Sequence, residues 1–484
     1  MSPSLIMACV AAYSILLFVV VWYTSRNADN ESFFIGNKSS KWYIVAYGMI
    51  GASLSGVTFM SVPGWVGTTQ FSYMMVVFGY FFGYAVIAMI LLPLYYRMNL
   101  TSIYTYLDER FGTRSYKTGA FYFILSRTIG AAFRLYIVVN VLQTFVLDAW
   151  GVPFWLTVAC FIGLILLYTY KGGVKTIVWT DTLQTTFMLF AVVLSVFMIA
   201  RELNFSFGNI LTEVFDGKYS RLVNTEWQER SFWLKQFLGG MFIAIAMTGL
   251  DQEMMQKNIS VSNVKDSQKN MFSFSIVLVF INFVFLALGV LLYLFAEAKG
   301  ISFHGRTTDD LFPEIALNYL GSFSAVFFII GLISAAYPSA DGALTALTSS
   351  FCIDFLNIKK KNWPEVKQRN VRYAVHISFA FVLLAVIVIF RMINDDAVIN
   401  KLFTVAGYTY GPLLGLYAFG LISKTQVKDK WVPLICLLSP LLCYYINDHS
   451  VAWMNGYKFG FELLILNGML TYFGLYLIRK PKAL

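Results

Sequence analysis

The sequence predicts an all-α polytopic membrane protein in which two sets of five helices repeat in inverted orientation. Three observations carry that prediction. The composition is apolar, about thirteen apolar stretches are long enough to span a bilayer, and two stretches of opposite direction contain residues that would interrupt a helix. Of 484 residues, 58% are hydrophobic and only 13% charged, with a mean hydropathy of +0.66. That is too apolar for an ordinary soluble domain. The net charge of +10 does not point to nucleic acid, because the basic residues sit in short loops between apolar runs, where membrane insertion places them. Cys9, Cys160, Cys352, Cys436 and Cys443 lack metal-ligand spacing and read as free buried thiols.

In chain order the expected spans are 4–24, 43–69, 72–96, 117–147, 153–170, 178–200, 233–252, 271–296, 322–356, 371–392, 398–422, 431–447 and 457–479. The first lacks the basic start and small-residue cleavage site of a signal peptide, so it reads as a span. Loops 25–42, 97–117, 171–177, 253–270, 357–372, 423–430 and the C-terminal tail together hold 24 Lys and Arg, whereas the loops on the other side hold six. The asymmetry puts the N-terminus outside and the C-terminus in the cytoplasm. The longest hydrophilic loops, 201–232 and 297–321, are too small to fold alone, so residues 1–484 form one transmembrane domain whose chemistry lies within the bilayer.

Segment 43–69 carries Gly48, Gly51, Ser53, Ser55, Gly56, Thr58 and Ser61 ahead of Pro63 and Gly64. These weaken a helix about 12 Å in from its cytoplasmic end at the helical rise, near the midplane. Segment 233–252 has a similar texture, with Gly239, Gly240 and the run Thr248-Gly249-Leu250-Asp251-Gln252, but enters from the opposite face. Two interrupted helices five segments apart in opposite directions predict an inverted five-plus-five repeat spanning 43–200 and 233–422, with an extra helix before it and two after it, over 431–479. For either segment alone, close packing through small residues is the competing reading.

Polar residues inside spans are costly unless paired or solvated, so each is a candidate site. Arg127 lies about 15 Å deep by the same rise, and Arg134 is two turns further on the same face. A guanidinium there could clamp a solute carboxylate or form a structural ion pair. The stretch 331–354 sets Ser334, Pro338, Asp341, Thr345 and Ser349 at helical steps as one polar stripe, opposite an apolar face. Asp181 and Asp341 both fall in the cytoplasmic half. Pro338 has no N–H to offer Ser334, so it exposes a carbonyl beside the Ser339 hydroxyl. Such hard oxygens suit Na⁺; a proton relay through the two aspartates, or a kink with Asp341 paired to a surface lysine, are the other readings.

Four runs resemble the sodium/solute symporters, the family of sodium-coupled glucose, galactose, proline and sialic acid transporters. They are Thr248 to Gln256 (TGLDQEMMQ), Lys171 to Asp181 (KGGVKTIVWTD), the 331–354 stretch, and Gly411 to Leu416 (GPLLGL). The resemblance covers nearly the whole chain in order and is nearest the sialic acid branch. It implies a LeuT-type fold with the core in spans two to eleven. It further implies a main sodium site at Gly51, Leu54, Ala335, Pro338 and Ser339, although proline stands where a hydroxyl is expected at Pro338. Some relatives add a second sodium site, which would fall on Asp181, Pro338, Asp341 and Gly342, so one or two ions are implied. Substrate positions fall on Ser53, Ser55 and Thr58, with Arg127 fitting the same picture. Tyr73, Met247 and Tyr408 are further candidates as gates or aromatic walls.

The expectation is therefore a sodium-coupled symporter that imports a small organic solute, a sugar or an acidic sugar such as sialic acid, by alternating access. Amino acids or monocarboxylates as solute, coupling to protons, or a passive channel are the alternatives. His304, His376 and His449 are scattered, so no catalytic constellation forms and an enzyme is not expected. A monomer in a bacterial inner membrane, with lipid and solute as its partners and no nucleic acid, completes the expectation.

Overall fold

A computed structural model describes residues 3–24, 40–301, 307–358, 361, 363–393 and 397–480, with the side chains of 170–176 not described. Several loop cations counted above, among them Arg26, Lys38, Lys171, Lys175, Arg306, Lys359, Lys360 and Lys482, therefore lie outside the described groups. Among the described residues the regular structure is helical, with isolated bridges such as Ser40 to Val261.

Helix occurs in every apolar stretch named above. By length and composition, nine helices among the described residues can cross a membrane, or up to eleven when two bent pairs are each taken as one span; 154–169 and 463–477 are shorter apolar helices. In order, α1 (Pro3–Thr24) precedes α2 (Trp42–Ser53) and α3 (Gly56–Thr69), which meet at 58°. Then come α4 (Tyr73–Val86), continued by a π-helical turn to Arg97, α5 (Thr105–Arg110), α6 (Thr113–Leu142) and α7 (Phe154–Glu202). After α8 (Phe207–Asp216), α9 (Trp233–Ala244) runs on to Gly249 and meets α10 (Gln252–Ile259) at 65°. The chain ends with α11 (Val264–Lys299), α12 (Leu311–Asn318), α13 (Gly321–Ser350), α14 (Glu365–Ile393), α15 (Val398–Ile422), α16 (Val432–Trp453) and α17 (Leu463–Leu477).

Both interruptions have local causes. Leu54 (φ −85°, ψ 89°) and Ser55 (φ −88°, ψ −179°) leave helical geometry between α2 and α3. The break thus falls well before Pro63, which sits inside α3. The last carbonyls of a helix have no intrahelical partner; Leu54 N–H bonds the Ile50 oxygen, so the carbonyls after it are the ones released. In the second pair Asp251 caps α10, its Oδ1 accepting from Glu253 N at 2.9 Å and Met254 N at 3.2 Å. A side-chain cap satisfies two orphan donors inside the bilayer, where water cannot.

Three sequence expectations change here. The stretch Phe154–Glu202 is helical throughout, without the non-helical loop expected at 171–177. At 49 residues a straight helix would be about 73 Å long, over twice the bilayer core. Ring contacts run from Phe161 to Tyr337 (6.2 Å), Tyr337 to Tyr13 (6.3 Å) and Tyr13 to Phe187 (5.6 Å), which is too short a path for a straight helix. The helix is therefore bent between Phe161 and Phe187. Second, residues 253–261, expected as part of a loop, belong to helix α10 and its end and are buried at every position. Third, Cys160 is exposed and Cys9 partly so; Cys352, Cys436 and Cys443 are buried, and all five are free.

α13 is the central helix. From Gly331 to Ser350 every residue is buried, so the face opposite the polar stripe meets protein and not lipid. It packs on α7 most extensively, and also on α6, α14 and both halves of the first broken helix.

Candidate functional site

The break at 54–55 opens onto a cavity between the helices. Ser53, Leu54, Ser55 and Thr58 line one side; Tyr73, Tyr80 and Tyr84 of α4 line another; Arg127 and Arg134 of α6, Met247 and Thr248 of α9, and Asn282 of α11 complete the polar surface. The hydroxyls of Tyr73 and Tyr80 are 3.1 Å apart. Six of the seven expected substrate residues thus share one cavity. Tyr408 does not: its hydroxyl accepts from Asn447 Nδ2 at 2.8 Å and its ring lies 5.9 Å from Tyr444, on the side of α16.

The two arginines differ in their partners. Arg127 is held by Glu253 in a close ion pair and lies 3.9 Å from Asp251. Among the described residues Arg134 forms no hydrogen bond or ion pair, although it is 91% buried. A guanidinium kept out of water without a partner is a strong hydrogen-bond donor site for an anion.

Behind the cavity a chain of charges runs from α6 through α10 to α7. Glu253, paired with Arg127, also accepts from Lys257 Nζ at 3.2 Å, and Lys257 Nζ lies 2.7 Å from Asp181 Oδ2, with each of these side chains at most 3% exposed. Tyr410 donates to Asp251 Oδ2 at 3.0 Å. Lys257 was a loop cation in the sequence reading; the structure makes it a core residue. Glu253 and Lys257 are four apart on α10, a spacing that favours an acid–base pair, and that was the one available signal. Tyr80, Tyr84 and Asn282 carried none beyond their place in apolar segments, while Thr248 was visible only as part of the interrupting run 248–252.

The positions implied for sodium divide into two groups. Gly51 packs on α7, where a Cβ would collide with the Thr185 hydroxyl, so the close approach requires glycine. Among the described residues Ser339 Oγ is fully buried without a hydrogen-bond partner, and α13, which carries Ala335 and Ser339, packs on both α2 and α3, the helices that flank the released carbonyls. An orphaned hydroxyl and released carbonyls are the oxygen types that suit a Na⁺ ligand set. Pro338 lies within the continuous helix α13 and brings no hydroxyl. Asp341 is not paired with a surface lysine: Tyr168 donates to its Oδ2 at 2.9 Å and its Oδ1 accepts from Gly342 N at 2.5 Å. Asp181 keeps Oδ1 without a partner while Oδ2 takes Lys257. At Gly342 a Cβ would collide with the Glu253 carboxylate. His376, bonded by the hydroxyls of Thr169 (2.9 Å) and Thr348 (2.8 Å), is a satisfied core histidine.

Residues 33–425 match the model of the sodium:solute symporter family. The chain is 22% identical to the sodium/sialic acid symporter SiaT of Proteus mirabilis, over 90% of this chain and 88% of that one. It is 21% identical to the sodium/sialic acid symporter NanT of Aliivibrio fischeri, over 84% and 81%. Sodium-coupled monocarboxylate transporter 1 of Mus musculus is 24% identical, over 81% of this chain and 64% of that protein. The fold superposes on a solved, substrate-bound, outward-open Na⁺-coupled sialic acid symporter with a TM-score of 0.83 at 19% identity, covering 98% of both chains. With a family match over most of its length, a multi-pass helical fold and a cavity at a broken helix, the chain belongs to the sodium:solute symporter family, whose members are transporters and not enzymes and whose coupling ion is Na⁺.

Proposed function

We propose that the protein is a sodium-coupled importer of a sugar acid of the sialic acid type, working by alternating access in a bacterial inner membrane. One observation carries the choice of solute: an unpaired guanidinium, Arg134, stands in a cavity otherwise lined by hydroxyls and tyrosines. Hydroxyls of Ser53, Ser55 and Thr58 suit a polyol, the rings of Tyr73, Tyr80 and Tyr84 suit the apolar face of a sugar ring, and the arginine suits a carboxylate. The names of the relatives point the same way.

On this reading the carboxylate role first given to Arg127 passes to Arg134, because Arg127 is already engaged by Glu253 and Asp251. Arg127 holds the wall of the cavity and ties it to α10. The main sodium position is Gly51, Leu54, Ala335 and Ser339, with Pro338 contributing no side-chain ligand. Bound there, Na⁺ would join the first broken helix to α13 and complete the solute site on the other side of the same break, which supplies the coupling. Thirteen spans, an outside N-terminus, a cytoplasmic C-terminus and the repeat boundaries 43–200 and 233–422 belong to the same proposal, as does a monomer as the working unit.

A cavity with one free cation would also admit a smaller monocarboxylate, the solute class of another relative. The three hydroxyls of the α2–α3 break favour the larger polyol. The test is a competition panel in proteoliposomes with an imposed Na⁺ gradient. Sialic acid should be taken up concentratively and should be displaced by sugar acids more than by neutral sugars, amino acids or short monocarboxylates. Equal displacement by neutral sugars would remove the carboxylate reading; uptake indifferent to Na⁺ would remove the coupling.

A further inference from the structure

Sodium-coupled symport leaves unexplained why a lysine is buried against Asp181. The second ion implied at Asp181, Pro338, Asp341 and Gly342 does not fit the residues present. Two of the four positions bring no side-chain oxygen, one being proline and the other glycine. The space a side chain at Gly342 would need is taken by the Glu253 carboxylate, and the carboxylate of Asp181 already holds the Lys257 ammonium at 2.7 Å. Lys257 and Asp181 both lie within electrostatic reach of Asp341, whose two oxygens are taken up by Tyr168 and Gly342 N.

An ammonium is a compact point charge with three donors, the nearest thing among side chains to a small hydrated cation. A Na⁺ at this carboxylate would sit a few ångströms from that ammonium among buried side chains, where like charges repel strongly. The protein thus supplies at this position what an ion would otherwise supply. α10 delivers both the cation and, through Glu253, a second anion for it, and Arg127 balances that anion in turn.

We propose that Lys257 is a tethered cation standing in for a second sodium ion at Asp181 and Asp341, so that the chain binds and carries one Na⁺ per cycle. The proposal rests on the sodium-coupled reading, and its test separates the two. Radiolabelled Na⁺ is bound at equilibrium to the purified full-length chain in lipid nanodiscs, with no solute present. The wild type should bind one ion per chain. Lys257→Met, which frees the Asp181 carboxylate, should bind two. Lys257→Met with Asp181→Asn should return to one, with the ion at the Ser339 position retained. Two ions in the wild type would overturn the stand-in while leaving sodium coupling intact. No ion in the wild type would overturn both readings. A single ion in Lys257→Met, or none in the double variant, would also overturn the proposal. The wild-type count decides even if the single variant does not fold.

Discussion

The solute cavity and the charge cluster behind it share walls, yet they treat their cations in opposite ways. In the cluster every cation is answered: Arg127 by Glu253 and Asp251, Lys257 by Asp181 and Glu253. At the cavity and the adjoining break, Arg134 and the Ser339 hydroxyl are buried with no partner. The two arginines are seven residues apart on one face of α6, so their chemistry is alike and their neighbours differ. Charges that close on each other hold helices in register; those left open mark where a ligand completes the set.

The sharpest way to break this comparison is to remove a closed charge. Glu253→Ala leaves Arg127 without its close partner and Lys257 with Asp181 alone, and breaking a buried pair costs about 3–5 kcal/mol. The expected outcome is a large loss of thermal stability in detergent; a variant as stable as the wild type would mean the cluster is not structural. Removing the open charge should act on affinity instead. Arg134→Ala should raise the half-saturating concentration of sialic acid at least about 30-fold, the equivalent of about 2 kcal/mol for an unpaired carboxylate, with little change in unfolding temperature. If Arg127→Ala gives the larger affinity loss of the two, the assignment is reversed. Ser339→Ala should weaken the Na⁺ dependence of uptake by about tenfold, corresponding to one lost hydroxyl ligand at about 1.4 kcal/mol, without altering solute selectivity at saturating Na⁺. The smallest effect belongs to Tyr408→Phe, which loses one hydrogen bond to Asn447, about 1 kcal/mol of stability, and should leave solute affinity unchanged in the same uptake assay.

What the sequence made legible was local. Ser53, Ser55 and Thr58 could be read because they lie together on one weakened stretch, and the polar stripe on α13 because its spacing is helical. Arg127 and Arg134 were visible as charges inside an apolar run, but which of them is free depends on Glu253, 126 positions away from Arg127, and no periodicity reports that. Lys257 was misread for a related reason. The second half of a broken helix needs no apolar face when it is buried among charges, so 253–261 has the composition of a loop. The break falls at Leu54–Ser55, within the weakened stretch, while Pro63, about two turns into α3, is tolerated and the released carbonyls are put to use.

The account's central claim is sodium-coupled uptake of a sugar acid with one ion per cycle, and a null-flux measurement tests it most directly. Proteoliposomes hold the membrane potential at zero while a tenfold inward Na⁺ gradient is opposed by increasing internal sialic acid until net flux vanishes. The predicted balance point is a tenfold sialic acid gradient; a hundredfold gradient, or a balance point that ignores Na⁺, would contradict it.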